Sequence, residues 1–509
     1  MGEHRWTRAE GAWAGALALC VAGALVAWRA SWGLWGALGT DAPLWGLTAR
    51  DLSVGAAPLV PPGYPSAIRV LHAVGLDLVS AGVTVSVAGG AALAAVGALV
   101  LRRAGAGRGL ASLGGALAVA MPDVVAWSEQ LQPDALAAAL ILLLGGLLGA
   151  VARGSSPAAW GAAVLAGLLP LVREHGLPLL AIAAAVLATR RQWRPLLALG
   201  VVWWLGPLVV GLAPGMHPLD VAWADRAGGP LDVFRATRPD QIPYLHELHR
   251  EDRRAYLTLL EQQDRLGQLR WHMGRSLALA GDLWAWCGVA VVAALVSARR
   301  APALLALAAP LAAALPALVV WSERRHVGLL APLAVVVLWS AAAAWGRRGV
   351  VAGALLTGVL ANGWPGQWAA IGRGQQTERL RAEHFAELGR WLAANAPEHS
   401  LLGGVFQDVG LYCPLPRHDP DGTAADWSTF LVTDRPPPRS PWGRWERVHS
   451  VGAEPDRPQA GMGIFRLDPQ RHPRPCGGIA PAEGAAHLAI ARAHVELPGC
   501  VVTADDPPR

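Results

Sequence analysis

Five short polar or proline-rich clusters interrupt an otherwise apolar chain: Asp41, the run Pro61 to Pro65 (PPGYP), the stretch from Asp123 to Asp134, Arg173-Glu174-His175, and Glu323-Arg324-Arg325-His326. Carboxylates, guanidiniums and imidazoles are the groups that move protons and hold phosphates. At a membrane edge they are costly to desolvate and rarely idle. All five clusters sit at the ends of apolar runs, and counting those runs as crossings puts them on one side. A one-sided ring of this kind suggests a reaction or binding centre facing that compartment.

The elements that must position these groups are membrane spans. With 509 residues, 53% hydrophobic and 16% charged, and a mean hydropathy of +0.34, the composition excludes an ordinary soluble enzyme. Several Ala-, Leu-, Val- and Gly-rich runs reach the roughly 17–25 residues that a helix needs to cross a bilayer. The alternating segments of a β-barrel are missing. The expected fold is an all-α polytopic membrane protein of about eleven spans. They fall near 11–32, 78–101, 109–126, 134–151, 157–171, 176–189, 195–213, 278–297, 301–320, 327–345 and 350–369.

The 43 basic residues are all arginine, as in GC-rich coding, and most anchor alternate loops. Arg5 and Arg8, Arg102, Arg103 and Arg108, Arg153, Arg190, Arg191 and Arg194, Arg299 and Arg300, and Arg347 and Arg348 all fall on the cytoplasmic side if the N terminus does. The net charge of +6 therefore reflects topology. No basic stripe interleaved with aromatics points to nucleic acid. The first run reads as a retained signal anchor in a multi-pass inner-membrane protein. Residues 158–189 split at Arg173 into two short spans, because one long helix would put the Arg153 and Arg190 loops on opposite sides.

The transmembrane domain is expected over 1–373, with external loops 33–77 and 214–277. The second of these loops contains an amphipathic helix from Tyr244 to Arg270. Beyond 374 the long apolar runs stop. Glu378 to Ala396 has helical periodicity, and Leu401 to Phe406, Phe430 to Thr433 and Gly463 to Leu467 read as strands. Residues 374–509 are thus expected to form a small exported α/β domain. If exported, Cys476 and Cys500 could bridge.

The order of the clusters resembles that of the GT-C-fold, polyprenyl-phosphate-dependent glycosyltransferases, which include the protein O-mannosyltransferases and the lipid A aminoarabinose transferase. An acid after the first span (Thr40-Asp41-Ala42-Pro43) is followed by the amphipathic segment Leu47 to Leu52, by Gly55 and by the PPGYP turn. Gln132-Pro133-Asp134-Ala135-Leu136 then opens the fourth span, Arg173-Glu174-His175-Gly176 resembles the family's arginine turn, and Arg324-Arg325-His326 with Pro332 opens a late helix. The similarity covers residues 10–345; Ala42 stands where several relatives carry a second acid.

The resemblance implies transfer of a sugar from a polyprenyl-phosphate carrier to a lipid, protein or glycan acceptor on the exoplasmic face, with inversion. Such a donor carries its own leaving group, so one base and a few cations suffice, unlike the two carboxylates of glycoside hydrolysis. The resemblance makes Asp41 the base, with Asp134 assisting or capping its helix. General-base assistance contributes about 10²–10⁴-fold. Arg324 and Arg325 break the positive-inside pattern and are expected to clamp the phosphate, since Arg stays charged and binds phosphate bidentately. Arg173 is a second cation or the ion-pair partner of Glu174; His326 and Tyr64 complete the substrate-binding set. No cluster at ligand spacing suggests a metal, and no cofactor is expected. A secondary transporter or flippase for a lipid-linked or anionic substrate, and a non-catalytic scaffold of the same fold, are the competing readings.

Overall fold

The computed structural model describes residues 7–32, 42–51, 61–173, 176–209, 265–315 and 324–396, and then 402–404, 407–413, 430–433, 445–451, 462–467, 474–475 and 500–501. Asp41, Glu174, His175, Glu323, Cys476 and most of the second external loop lie outside the described residues. The protein is a helical, polytopic membrane protein with a small strand-containing region toward its C terminus. It divides into two compact units. The first comprises 1–33, 59–67 and 82–373; the second comprises 34–58, 68–81 and 374–509.

In the first unit the chain order is α1 (Arg8–Ser31), the start of α3 (Gly63–Ala73), α4 (Leu78–Arg103), α5 (Arg108–Ala120), α6 (Pro122–Glu129), α7 (Asp134–Ala152), α8 (Ser156–Leu168) with a 3-10 turn Leu169–Leu171, α9 (Gly176–Thr189) and α10 (Trp193–Val209). After the second external loop come α11 (Arg265–Ser297), α12 (Ala303–Ala308) with a 3-10 turn Ala309–Ala314, α13 (Arg324–Gly328), α14 (Ala331–Ala344), α15 (Gly346–Leu360) and α16 (Trp364–Asn395). Five described helices are long and apolar enough to cross a membrane, or six if the bent pair α5–α6 is one span. A helix that is apolar all round belongs in the interior. Such is α14, buried from Ala331 through Ala342.

Two expected spans are redrawn by breakers. The expected span 109–126 bends by 70° between α5 and α6, because Pro122 opens α6 and cannot continue the hydrogen bonding of α5. The expected span 350–369 is two helices separated by the turn 361–363, and Pro365 lies in the first turn of α16, where its missing N–H costs nothing. The tail helix expected from Glu378 is the later part of this same α16. Residues 158–189 form two helices, α8 and α9, separated near Arg173.

Tight packing explains the glycine content. α4 and α5 meet backbone to backbone at Gly115, where a Cβ would land on the carbonyl oxygen of Ala94 and 3.0 Å from the Ala98 nitrogen. Small residues permit this approach in lipid, where helices gain little from hydrophobic association and rely on van der Waals contact.

The second unit contains α2 (Ala42–Asp51), the end of α3, the C-terminal part of α16 and a four-stranded sheet. β1 (Leu402–Gly404) runs parallel to β2 (Phe430–Thr433), and β4 (Met462–Leu467) and β3 (Trp445–Val451) follow antiparallel in the order β1-β2-β4-β3. A separate pair joins β5 (Arg474–Pro475) to β6 (Cys500–Val501). Phe385, Leu388 and Leu392 of α16 pack on Phe430, Val432 and Ile464. Residues 42–51, read from sequence as part of an external loop, belong to this unit. Arg50 of α2 donates to the carbonyls of Gly410 and Cys413, both at 3.3 Å.

Gly115→Ala is expected to lower stability by about 1–3 kcal/mol through overpacking, read as thermal unfolding in detergent. Gly23→Ala, with nothing within 4 Å of the added carbon, is expected to leave it unchanged.

Candidate functional site

The polar groups of the first unit gather at one end of its helices. α7 begins at Asp134 and runs to Ala152, about 28 Å at 1.5 Å per residue, so Asp134 and Arg153 mark opposite ends. At the Arg153 end Arg102 lies 3.7 Å from Glu10. At the Asp134 end lie two clusters.

The first is buried. The Nη2 of Arg173 donates to Oδ1 of Asp134 at 2.8 Å, with side chains 5% and 1% exposed. Such a pair contributes little net stability, yet removing one partner strands a charge. Close by, the buried hydroxyl of Tyr64 donates to the carbonyl of Gly82 at 2.9 Å and meets Ser86 Oγ at 2.8 Å. Ser86 in turn donates to the carbonyl of Gln132 at 2.8 Å. The Tyr64 turn is drawn in by Gly63, whose missing Cβ leaves room for the Leu171 carbonyl 2.7 Å away. Burial, with a smaller effect from the Asp134 charge, pushes the Tyr64 phenol well above the ordinary tyrosine value. Arg29, at the end of α1 and buried, donates to the carbonyl of Glu129 at the end of α6.

The second cluster is partly exposed. Arg324 donates to Asp123 from Nε to Oδ1 at 2.9 Å and from Nη2 to Oδ2 at 2.8 Å. It donates to Asp282 from Nη1 to Oδ1 at 2.5 Å and from Nη2 to Oδ2 at 2.8 Å, and Nη1 also donates to the carbonyl of Leu279 at 3.2 Å. A guanidinium has five N–H donors, and here all five are used. Two carboxylates around one cation leave a formal charge of −1. The bend at Met121 aims Asp123, in the first turn of α6. The non-helical backbone at Ala280 (φ −135°, ψ 24°) restarts α11 just before Asp282.

Arg324 is therefore not the open phosphate clamp that the sequence suggested, since phosphate could bind it only by displacing a carboxylate. Arg325 follows it on α13 and is half-buried, whereas His326 is buried. Arg173 finds a partner 39 residues away in Asp134, and Glu174 lies outside the described residues. Tyr64 is fully enclosed and holds backbone rather than solvent-facing ligand. Asp41 lies outside the described residues, immediately before α2.

Sequence reasoning missed Asp282 and Arg29. Each left a signal: Asp282 is the single carboxylate inside the expected span 278–297, and Arg29 is a cation at the wrong end of the first span for the positive-inside pattern. Among the described residues no group of three or more His, Cys, Asp or Glu side chains is placed to hold a metal ion.

No known family profile matches the chain, and no curated protein does. Two solved structures of ArnT from Cupriavidus metallidurans align with it. One, bound to undecaprenyl phosphate, is 15% identical with a TM-score of 0.46 over 88% of this chain and 97% of that one. The other, in the apo state, is 17% identical with a TM-score of 0.45 over 90% and 99%.

Arg173→Met is expected to destabilise the protein by about 3–5 kcal/mol by stranding Asp134, and adding Asp134→Leu to recover much of that loss, read by thermal unfolding in detergent. Folding favours the neutral Tyr64 phenol, so its contribution holds below the unfolded-state pKa near 10 and is lost as pH rises beyond it. Tyr64→Phe is expected to flatten the alkaline limb of the stability profile.

Proposed function

We propose that this protein is a membrane glycosyltransferase that moves a sugar from a polyprenyl-phosphate carrier to an acceptor at the end of the bundle where Asp134, Arg173 and Arg324 lie. The observation that carries this reading is the gathering of Asp123, Asp134, Arg173, Asp282 and Arg324 at one end of an otherwise apolar bundle. The order of the motifs along the chain supports it. Under the positive-inside rule the opposite, arginine-rich end is cytoplasmic, so the polar end is exoplasmic.

In the proposed reaction Asp41 accepts the proton of the acceptor hydroxyl as its oxygen attacks the anomeric carbon. The sugar–oxygen bond to phosphate breaks from the far face, which inverts the centre. The polyprenyl phosphate departs with the bonding electrons. Its growing charge needs a cation, and Arg325, next to Arg324 on α13, takes that role. Arg324 instead fixes the two aspartates, and the Arg173–Asp134 pair holds the start of α7. The acceptor is a lipid, protein or glycan hydroxyl.

A second reading, a flippase for a lipid-linked anionic substrate, draws on the break at Met121 and the kink at Ala280, because transporters bind substrate where helices are interrupted. It predicts carrier reorientation across proteoliposomes with the sugar still attached.

Mass spectrometry of glycolipids and glycoproteins from a deletion strain and its parent is expected to show one glycan lost. The wild-type gene is expected to restore it. Asp41→Asn, present in membranes at wild-type level, is expected to lose about 10²–10⁴-fold in transfer rate. An unchanged glycan profile on deletion, or full restoration by Asp41→Asn, would overturn the proposal.

A further inference from the structure

A cleft of about 830 Å³ opens between α11, α14 and α15, within the first unit, and its lining on α11 begins at Ala285, one turn after Asp282. Its walls are Gly288, Val292, Ala341, Ala352 and Leu356, and its mouth is formed by Ser297, Trp345 and Arg348. The volume lies within the roughly 300–1,000 Å³ of small-ligand sites. Along α11 the lining runs from Ala285 to Ser297, about 18 Å at 1.5 Å per residue. This is little more than half of the ~30 Å hydrocarbon thickness, so the cleft matches a chain rooted in one leaflet.

The mouth is built. Trp345 Nε1 donates to Ser297 Oγ at 2.9 Å, which fixes the indole at the rim. The guanidinium of Arg300 lies 3.7 Å from the centre of the Trp345 ring. Arg348 lines the opening, and Arg299 and Arg347 flank it in sequence, all exposed. Among the described residues no carboxylate pairs with any of these four arginines. Arg348 in the lining and Arg300 on the rim tryptophan put positive charge at one end of an apolar cleft, which suits an anion with a hydrocarbon tail.

We propose that the cleft binds an anionic phospholipid of the leaflet at the arginine end, with an acyl chain along Gly288, Val292 and Ala352 and the phosphate at Arg348 and Arg300. A neutral lipid fills the apolar part equally well and leaves the cations unanswered, so the site discriminates by headgroup. Lipid bound here braces α11 against α14 and α15 and does not depend on the reaction proposed above.

The test uses full-length protein in detergent with added dioleoylphosphatidylglycerol or dioleoylphosphatidylcholine, read by native mass spectrometry and thermal unfolding. Phosphatidylglycerol is expected to remain bound at one per chain and to raise the melting temperature by about 2–4 °C. It is expected to bind about tenfold tighter than phosphatidylcholine. A Cβ added at Gly288 meets no atom within 4 Å, and Gly288→Phe is expected to occupy the cleft and abolish the shift at unchanged lipid-free stability. The exposed double variant Arg300→Gln/Arg348→Gln is expected to keep the fold and bring the two lipids to equal affinity. Equal binding of both lipids by the wild type, or headgroup preference retained by the double variant, overturns the proposal. So does a shift retained by Gly288→Phe, displacement of phosphatidylglycerol by equimolar polyprenyl phosphate, or a dimer that masks the cleft.

Discussion

The guanidinium of Arg324 ties together three elements that are distant in sequence. It joins the first turn of α6, the restart of α11 and the first residue of α13, through carboxylates 201 and 42 residues away. Each element meets this point through an interruption in its helix: the Pro122 bend, the Ala280 kink and the short α13 ahead of α14. Helix interruptions expose unpaired backbone groups that lipid cannot satisfy. Protein groups supply the partners here, since the Leu279 carbonyl just before the kink accepts from the same guanidinium. Saturating all five donors makes the arrangement rigid and leaves a net negative, partly exposed rim. Asp282 is its more open carboxylate, 37% exposed against 19% for Asp123.

That constraint organises the rest of the polar end. Once α6 is fixed by Asp123, the chain turns through Gln130–Pro133 into α7. The Gln132 carbonyl then receives Ser86, which meets Tyr64, and Asp134 receives Arg173. Arg29 closes on the carbonyl of Glu129 from α1. Two ion-paired groups, one buried and one at the rim, thus sit on either side of the α6–α7 connection. Their energetics differ. The buried pair is sensitive to loss of either partner because desolvation has already been incurred, whereas water screens the rim cluster and lets it respond to a ligand.

Helix-scale organisation was legible because hydropathy reports burial in lipid directly: the starts and ends of α4, α7 and α9 fall within a few residues of the expected spans. Breaks inside apolar runs were not, since a hydropathy window averages across Pro122 and across the turn 361–363. In the second unit Phe430–Thr433 was readable as a short apolar strand. β3 (WERVHSV) was not, because it is the edge strand of the sheet and fully buries only Val451. At the site, residue types were legible and partnerships were not. The Asp134 partner of Arg173 is 39 residues away in the chain, and Asp282, a partner of Arg324, was hidden inside an expected span. Pairing is a tertiary property that spacing along the chain does not encode.

In the proposed reaction polyprenyl phosphate is recognised at the end carrying Arg325 and not at the arginine-rich end. The most direct measurement is a binding titration of polyprenyl phosphate against the full-length protein in detergent, repeated with Arg325→Gln and with Arg348→Gln. The account predicts saturable binding that weakens at least about tenfold in Arg325→Gln, the loss of one charge-assisted phosphate contact, and is unchanged in Arg348→Gln. Wild-type affinity in Arg325→Gln, or weakening confined to Arg348→Gln, would contradict it.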